Sequence, residues 1–236
     1  MITKNTDDFS QLDFTSGEVI LIDKPLNWSS FKVVYNVKKA SSSKKVGHAG
    51  TLDPMATGLL ILCTGKKTKD IHLYQNLPKT YTGIITLGKK SPSMDKETEI
   101  TDVKIPKEIS EEKICSVRDN FIGEIEQVPP MFSAIKVKGK RLYHHARKNK
   151  VIERTPRLIK VEEFEIIKID IPDIHFRIKC SKGTYIRAIA NDFGEKLGSG
   201  AILSELRRTE IGNFWVKDAL SVDEFKTKIG AAQNLS

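Results

Sequence analysis

Gly47-His48-Ala49-Gly50-Thr51-Leu52-Asp53-Pro54-Met55-Ala56-Thr57-Gly58, running into Leu59-Leu60-Ile61-Leu62, is the stretch around which the chain is organised. Its three glycines permit positive φ and sharp turns, so the first part reads as a shaped loop. The proline after Asp53 pushes that aspartate out of the helical region and removes the next backbone donor. The result is a carboxylate on a stiff loop just ahead of a short apolar strand, 58–63. Such loops commonly hold catalytic groups, yet an aspartate before proline can equally do no more than cap a turn. The loop alone does not choose between these.

Upstream, Glu18-Val-Ile-Leu-Ile-Asp-Lys-Pro25 reads as a buried strand that stops at its proline. Ser29-Ser30 can cap a helix to about Ala40, with Phe31, Val34 and Val37 on one face. Residues 1–16 are polar and are expected to form a ragged tail. Downstream, a helix is expected after Gly65-Lys66-Lys67, and 80–87 alternates as a half-buried strand carrying Tyr81, Gly83, Ile85 and Leu87 on one side. Ser110 starts a helix with Ile114, Val117 and Phe121 inward. A segment 129–150 follows, extended over 133–137 and then forming a short basic helix over 141–148. The runs 158–169 and 174–180 read as paired strands. Thr184 opens a helix with Ile186, Ile189, Phe193 and Leu197 in one stripe, closed by Gly198-Ser-Gly200. A strand over 201–211 and a helix opened by the capping box Ser221-Val-Asp-Glu224 complete the chain. Strands and helices intermingle without regular alternation, which favours an α+β fold with a mixed sheet over a doubly wound one.

At 236 residues, 39% hydrophobic and 29% charged, the chain has the balance of an ordinary globular protein with a substantial core. Its length suits one domain, or one with a small lobe, read over 17–236. A formal net charge of +9 favours a polyanionic partner, although a lysine-rich surface also serves solubility. The charge concentrates at Lys44-Lys45, beside the Asp53 loop, and in a second cluster with Lys136, Lys138, Lys140, Arg141, Arg147, Lys148 and Lys150. Cys63, Cys115 and Cys180 are odd in number, far apart and without metal-ligand spacing. With a polar N-terminus they point to a reducing cytoplasm, no disulfide and no metal. No apolar run reaches membrane-spanning length, so no membrane role is expected.

Taken together, these segments resemble the TruB family of tRNA pseudouridine synthases. The resemblance rests on Asp23-Lys24-Pro25 with Trp28-Ser29-Ser30, on the 47–60 stretch with Asp53, and on Lys79-Thr80-Tyr81. It continues through Pro129-Pro130-Met-Phe-Ser133-Ala134-Ile-Lys136 with Gly139, Tyr143, Ala146 and Arg147. Ser181-Lys182-Gly183-Thr184-Tyr185-Ile186-Arg187 and Leu206-Arg207-Arg208 complete the set, in order over about 18–215. Two departures stand out. Where the family usually has a threonine-rich segment ending in Asp-x-x-Gly, this chain has Ser91-Pro-Ser-Met-Asp95-Lys-Glu-Thr98. Only about twenty residues follow Trp215, fewer than the C-terminal PUA domain of many members needs, so no such domain is expected.

The resemblance implies a mainly antiparallel sheet of the pseudouridine synthase catalytic fold, with flanking helices and an RNA-gripping insertion at about 129–150. It implies conversion of uridine-55 in the tRNA T-loop by breaking the C1′–N1 bond, turning the uracil and rejoining it through C5. Asp53 is then the essential residue, as nucleophile or as the base that begins elimination. Arg187 would keep Asp53 ionised and oriented, since a guanidinium lowers a carboxylate pKa and fixes it with two hydrogen bonds. Tyr81 would stack on the uracil and help remove the C5 proton. Tyr185 would line the pocket and Leu206 would close its apolar wall, although a plain core leucine fits position 206 nearly as well. His48 would enter the space that the flipped uridine leaves. Lys24, Lys136, Lys138, Arg141 and Arg147 would bind RNA. No cofactor is expected, because the glycines match neither a P-loop nor a dinucleotide site. No obligate protein partner is expected and a monomer is the default. The competing readings are an RNA-binding module without turnover and a related synthase with another RNA target.

Overall fold

The computed structural model describes residues 1–137, 139–148 and 150–233. In chain order the elements are β1 (Val19–Lys24), α1 (Ser30–Ala40), β2 (Val46–His48), β3 (Ala56–Thr64), α2 (Ile71–Gln75), β4 (Lys79–Leu87), β5 (Lys89–Lys90), β6 (Thr101–Asp102), α3 (Glu111–Asp119) and β7 (Gly123–Gln127). There follow β8 (Lys136–Val137), β9 (Lys140–Arg141), α4 (Leu142–Ala146), β10 (Arg157–Asp170), β11 (Asp173–Cys180), α5 (Ile186–Leu197), β12 (Ala201–Ile211), β13 (Phe214–Trp215), β14 (Leu220–Ser221) and α6 (Val222–Gln233). The class is α+β, as the segment pattern predicts, with the mainly antiparallel pairing that the resemblance implies. Internal contacts gather into two compact units, Met1–Tyr81 with Leu206 onward, and Thr82–Glu205. β4 and β12 run from one unit into the other.

In the first unit the strand order is β14-β1-β3-β12, with β2 added to β3 and β13 to β12. The apolar run after Gly58 becomes β3, buried along nearly its whole length because both of its faces are covered. Leu60 and Leu62 meet Ile20, Ile22, Val33, Val37, Phe225 and Ile229 on one side. On the other, Leu59, Ile61 and Cys63 meet Val19, Leu21, Ala49 and Ile211. Each such side chain removed from water stabilises the fold by roughly 1.5–3 kcal/mol. Burial also pushes the Cys63 thiol up to about 11, so it behaves as a small hydrophobe.

Two expectations are corrected here. Residues 1–16 are packed: the Ile2 N–H donates to the Val19 carbonyl, and Ile2 and Phe9 join the cluster around Phe225. A few apolar residues in a polar stretch were enough to anchor it. Ser29 does cap α1, accepting from the Lys32 N–H, but the buried stripe is Ser30, Val33 and Val37, with Phe31 exposed. A shift of one residue turns a side chain by about 100° on a helix, enough to move Phe31 from core to solvent.

In the second unit the order is β4-β11-β10-β7. Phe121, Phe164, Phe176 and Phe193 pack edge to face or tilted beneath it. α5 buries Ile186, Ile189, Phe193 and Leu197 as its spacing predicts, and ends at Gly198, whose φ of 74° suits a left-handed stop. The 129–150 segment forms the β8–β9 hairpin and α4. No helix among the described residues is long and apolar enough to cross a membrane.

Candidate active site

Asp53 lies between β2 and β3 in the first unit, on a loop whose backbone is held at several points. The Ser30 hydroxyl donates to the Leu52 carbonyl at 3.0 Å and accepts from the Leu52 N–H at 2.9 Å. The Asn27 N–H donates to the Pro54 carbonyl at 2.9 Å. Two buried cations complete the hold. Arg208 donates through Nε to the Leu59 carbonyl at 2.7 Å and through its other nitrogen to the Gly50 carbonyl at 3.2 Å. Lys24 Nζ donates to the carbonyls of Trp28 at 2.6 Å, Pro25 at 2.9 Å and Pro54 at 3.4 Å. Beside them Arg207 grips Asp23 with both terminal nitrogens, at 3.1 and 2.6 Å. A loop fixed in this way can present a carboxylate in one orientation without reorganising.

The geometry overturns one assignment. Lys24, expected among the RNA-binding lysines, is completely buried and spends its ammonium on three carbonyls. It is a positioning group for the 53–54 turn. Burial pulls its pKa from 10.5 to about 8, resisted by the negative charges of Asp53 and Asp23 and reinforced by Arg208. Because the folded pKa lies below the unfolded one, the folded chain binds fewer protons above about pH 8, and stability rises with pH across that window. Relative to Lys24→Met, the wild type is expected to gain about 2 kcal/mol between pH 8 and roughly pH 9.5, at ~1.36 kcal/mol per unit. Denaturation curves of the two proteins that keep a constant gap over that range would remove the titrating lysine.

His48 sits on β2 opposite Leu62 of β3. Burial lowers its pKa and Arg208 lowers it further, against a backbone contact at Gly50, so its surroundings favour the uncharged imidazole. Tyr81, at the end of the first unit, is buried. Leu206, half-buried, pairs with Ala56 just after the Asp53 turn and belongs to neither apolar cluster of the unit.

In the second unit Arg187 lies in the first turn of α5, after the Gly183 turn, as the sequence predicts. It is 4% exposed and donates to the carbonyls of Phe132 at 2.6 Å and Ser93 at 3.3 Å. Its guanidinium carbon is 5.8 Å from the centre of the Tyr185 ring. The Gln127 amide clamps Tyr185 from both sides, donating to its carbonyl at 3.0 Å and accepting from its N–H at 2.8 Å. Sequence reasoning missed Gln127, and also Ser30 and Arg208 as loop clamps. A polar residue ending a strand carries no local sign of such a task, whereas the second serine of Ser29-Ser30 offered one, since a helix needs only one cap. The 91–98 segment is ordered from within: Ser91 donates to the Asp95 carbonyl, Asp95 accepts from the Glu97 N–H, and Ser93 and Thr98 exchange hydrogen bonds. Lys136 and Arg141 are exposed partners across the β8–β9 hairpin, and Arg147 meets Glu97 at 3.4 Å. Lys138 lies outside the described residues.

The chain matches two family models: one described as TruB family pseudouridylate synthase (N terminal domain), over residues 38–186, and one described as tRNA pseudouridylate synthase B C-terminal domain, over 187–234. A Flavobacterium johnsoniae protein named tRNA pseudouridine synthase B is 48% identical over 224 residues, covering 92% of this chain and 98% of that one. One of the same name from Chloroherpeton thalassium is 51% identical over 218 residues, covering 90% of each. Among solved structures, a chain of a Cbf5-Nop10-Gar1 complex aligns with TM-score 0.69 and 31% identity over 92% of this chain. A chain of an H/ACA RNP bound to a substrate RNA containing 2′-deoxyuridine aligns with TM-score 0.67 and 29% identity over 91%. This chain spans 60% and 53% of those two chains. The class defined is that of the pseudouridylate synthases, enzymes that isomerise uridine within RNA. Within it, the chain belongs to the TruB family.

Proposed function

We propose that the chain converts uridine-55 in the T-loop of tRNA to pseudouridine. The C1′–N1 bond breaks, the uracil turns, and C1′ bonds to C5; C5 loses a proton and N1 gains one, so the reaction needs no oxidant, reductant or energy source. The observation that carries this reading is the Asp53 loop, fixed at Gly50, Leu52 and Pro54 by Arg208, Ser30 and Lys24. The names of the most similar relatives support tRNA as the substrate.

In this proposal Asp53 attacks C1′ or begins elimination, and Arg187 pairs with it to keep it anionic. Tyr81 stacks on the uracil, while Tyr185 and Leu206 line its pocket. His48, whose burial favours the uncharged ring, takes the place of the flipped base in the RNA stack. Lys136, Lys138, Arg141 and Arg147 of the 129–150 insertion hold phosphates. The test is to incubate an unmodified tRNA transcript with the purified chain alone and map pseudouridine. Product at position 55 is expected; product only at another uridine overturns the target, and none overturns the reaction. Replacing Lys136 and Arg141 together by alanine is expected to weaken tRNA binding and flatten its salt dependence, by up to about 0.7–0.9 in log–log slope per lost phosphate contact. An unchanged slope excludes the hairpin from the RNA footprint.

A further inference from the structure

Helix α1 turns two aromatic rings to solvent. Phe31 is 74% and Tyr35 59% exposed, and Leu26 just before the helix is 51% exposed. Four residues apart, the two rings share one helix face. The opposite face is fully used, with Val33 and Val37 packed on Phe225 and Ile229, so the core does not require the exposed pair. Along the helix itself the charge has one sign. α1 contains no acidic residue and carries Lys38 and Lys39 in its last turn, both exposed. Lys32 Nζ lies 4.1 Å from the centre of the Trp28 ring. Asp223 of α6 is already paired with Lys226 at 3.3 Å.

Exposed rings interleaved with exposed positive charge match the chemistry of a nucleic-acid strand: bases stack on aromatic faces while ammonium groups take phosphates. The N-terminal end of the helix is tied to the Asp53 loop, because Ser30 holds Leu52 and Asn27, just before it, holds Pro54. We propose that the outer face of α1 binds unpaired nucleotides of the RNA adjoining the target uridine, through Phe31 and Tyr35 with Lys38 and Lys39. This rests on the RNA-modifying reading above and adds a contact surface to it.

All four residues are exposed, so their replacement leaves the core intact. Phe31→Ala/Tyr35→Ala and Lys38→Ala/Lys39→Ala are compared with wild type for equilibrium binding of an unmodified tRNA transcript at several salt concentrations, and for single-turnover rate at saturating RNA. The ring variant is expected to bind about tenfold or more weakly at unchanged saturating rate, the scale of losing base–aromatic stacking. The lysine variant is expected to lose up to about two phosphate contacts' worth of salt slope. Affinities within twofold of wild type for both variants overturn the proposal. So does wild-type self-association in sedimentation that the ring variant abolishes while its RNA affinity stays unchanged, since the occupant is then a second copy. If wild type binds the transcript without making pseudouridine, the enzymatic reading fails, while the relative affinities still decide the α1 assignment.

Discussion

Asp53→Asn is expected to lower pseudouridine formation by more than roughly 10³-fold, the scale on which enzymes lose rate when a reacting group is deleted, and to leave tRNA affinity within about twofold. The loop backbone has anchors of its own at Gly50, Leu52 and Pro54. Asparagine keeps the volume and loses only the charge and the nucleophilic oxygen. One side effect has a definite sign: the Asp53 charge favours the Lys24 ammonium, so its removal lowers the lysine's pKa further. Single-turnover kinetics at saturating RNA, with a parallel binding titration, separate these effects. A variant that retains a tenth of the wild-type rate takes Asp53 out of the reacting centre, and one that no longer binds makes it a recognition residue.

Gly58→Ala is expected to destabilise the chain by more than about 3 kcal/mol, lowering Tm by roughly 10 °C or preventing soluble expression. Two independent penalties coincide there. Gly58 has φ of +104°, a backbone conformation that L side chains rarely adopt. A Cβ built on it would also lie 2.3 Å from the Arg208 carbonyl oxygen and 2.7 Å from the Arg208 nitrogen. Both are backbone atoms of the neighbouring strand, so neither can swing aside. Gly58 also faces Lys24 across β1, so any shift displaces both cations that hold the loop. Thermal denaturation checks this, and a Tm within 2 °C of wild type would contradict the close approach.

How much was legible followed from the range of the interactions. The apolar run of β3, the Ser29 cap and the stripe of α5 repeat a local pattern, and each stands where spacing put it. Phe31 was misplaced because Ser30, a polar residue, occupies the stripe and uses its hydroxyl on Leu52, a partner 22 residues away. Lys24 reads as a surface cation until Trp28 and Pro54 supply carbonyls around it. Ile2 and Phe9 were hidden by the polarity of their neighbours. The proposed roles of Asp53, Tyr81 and Arg187 came from a match of several motifs in order, since no single spacing distinguishes a reacting aspartate from a turn-capping one.

The division of the first unit between the two ends of the chain bears on how the protein is made. Ala56 and Gly58 of β3 find their parallel partners only in Leu206 and Arg208. A ribosome therefore adds some 150 residues after Thr57 before that neighbour emerges. Until then the start of β3, which β2 does not reach, has an open side, a template to which another nascent strand could add. Closure over so long a separation is slow compared with local pairing, so assembly of the unit that carries Asp53 is expected to be the late event in biogenesis.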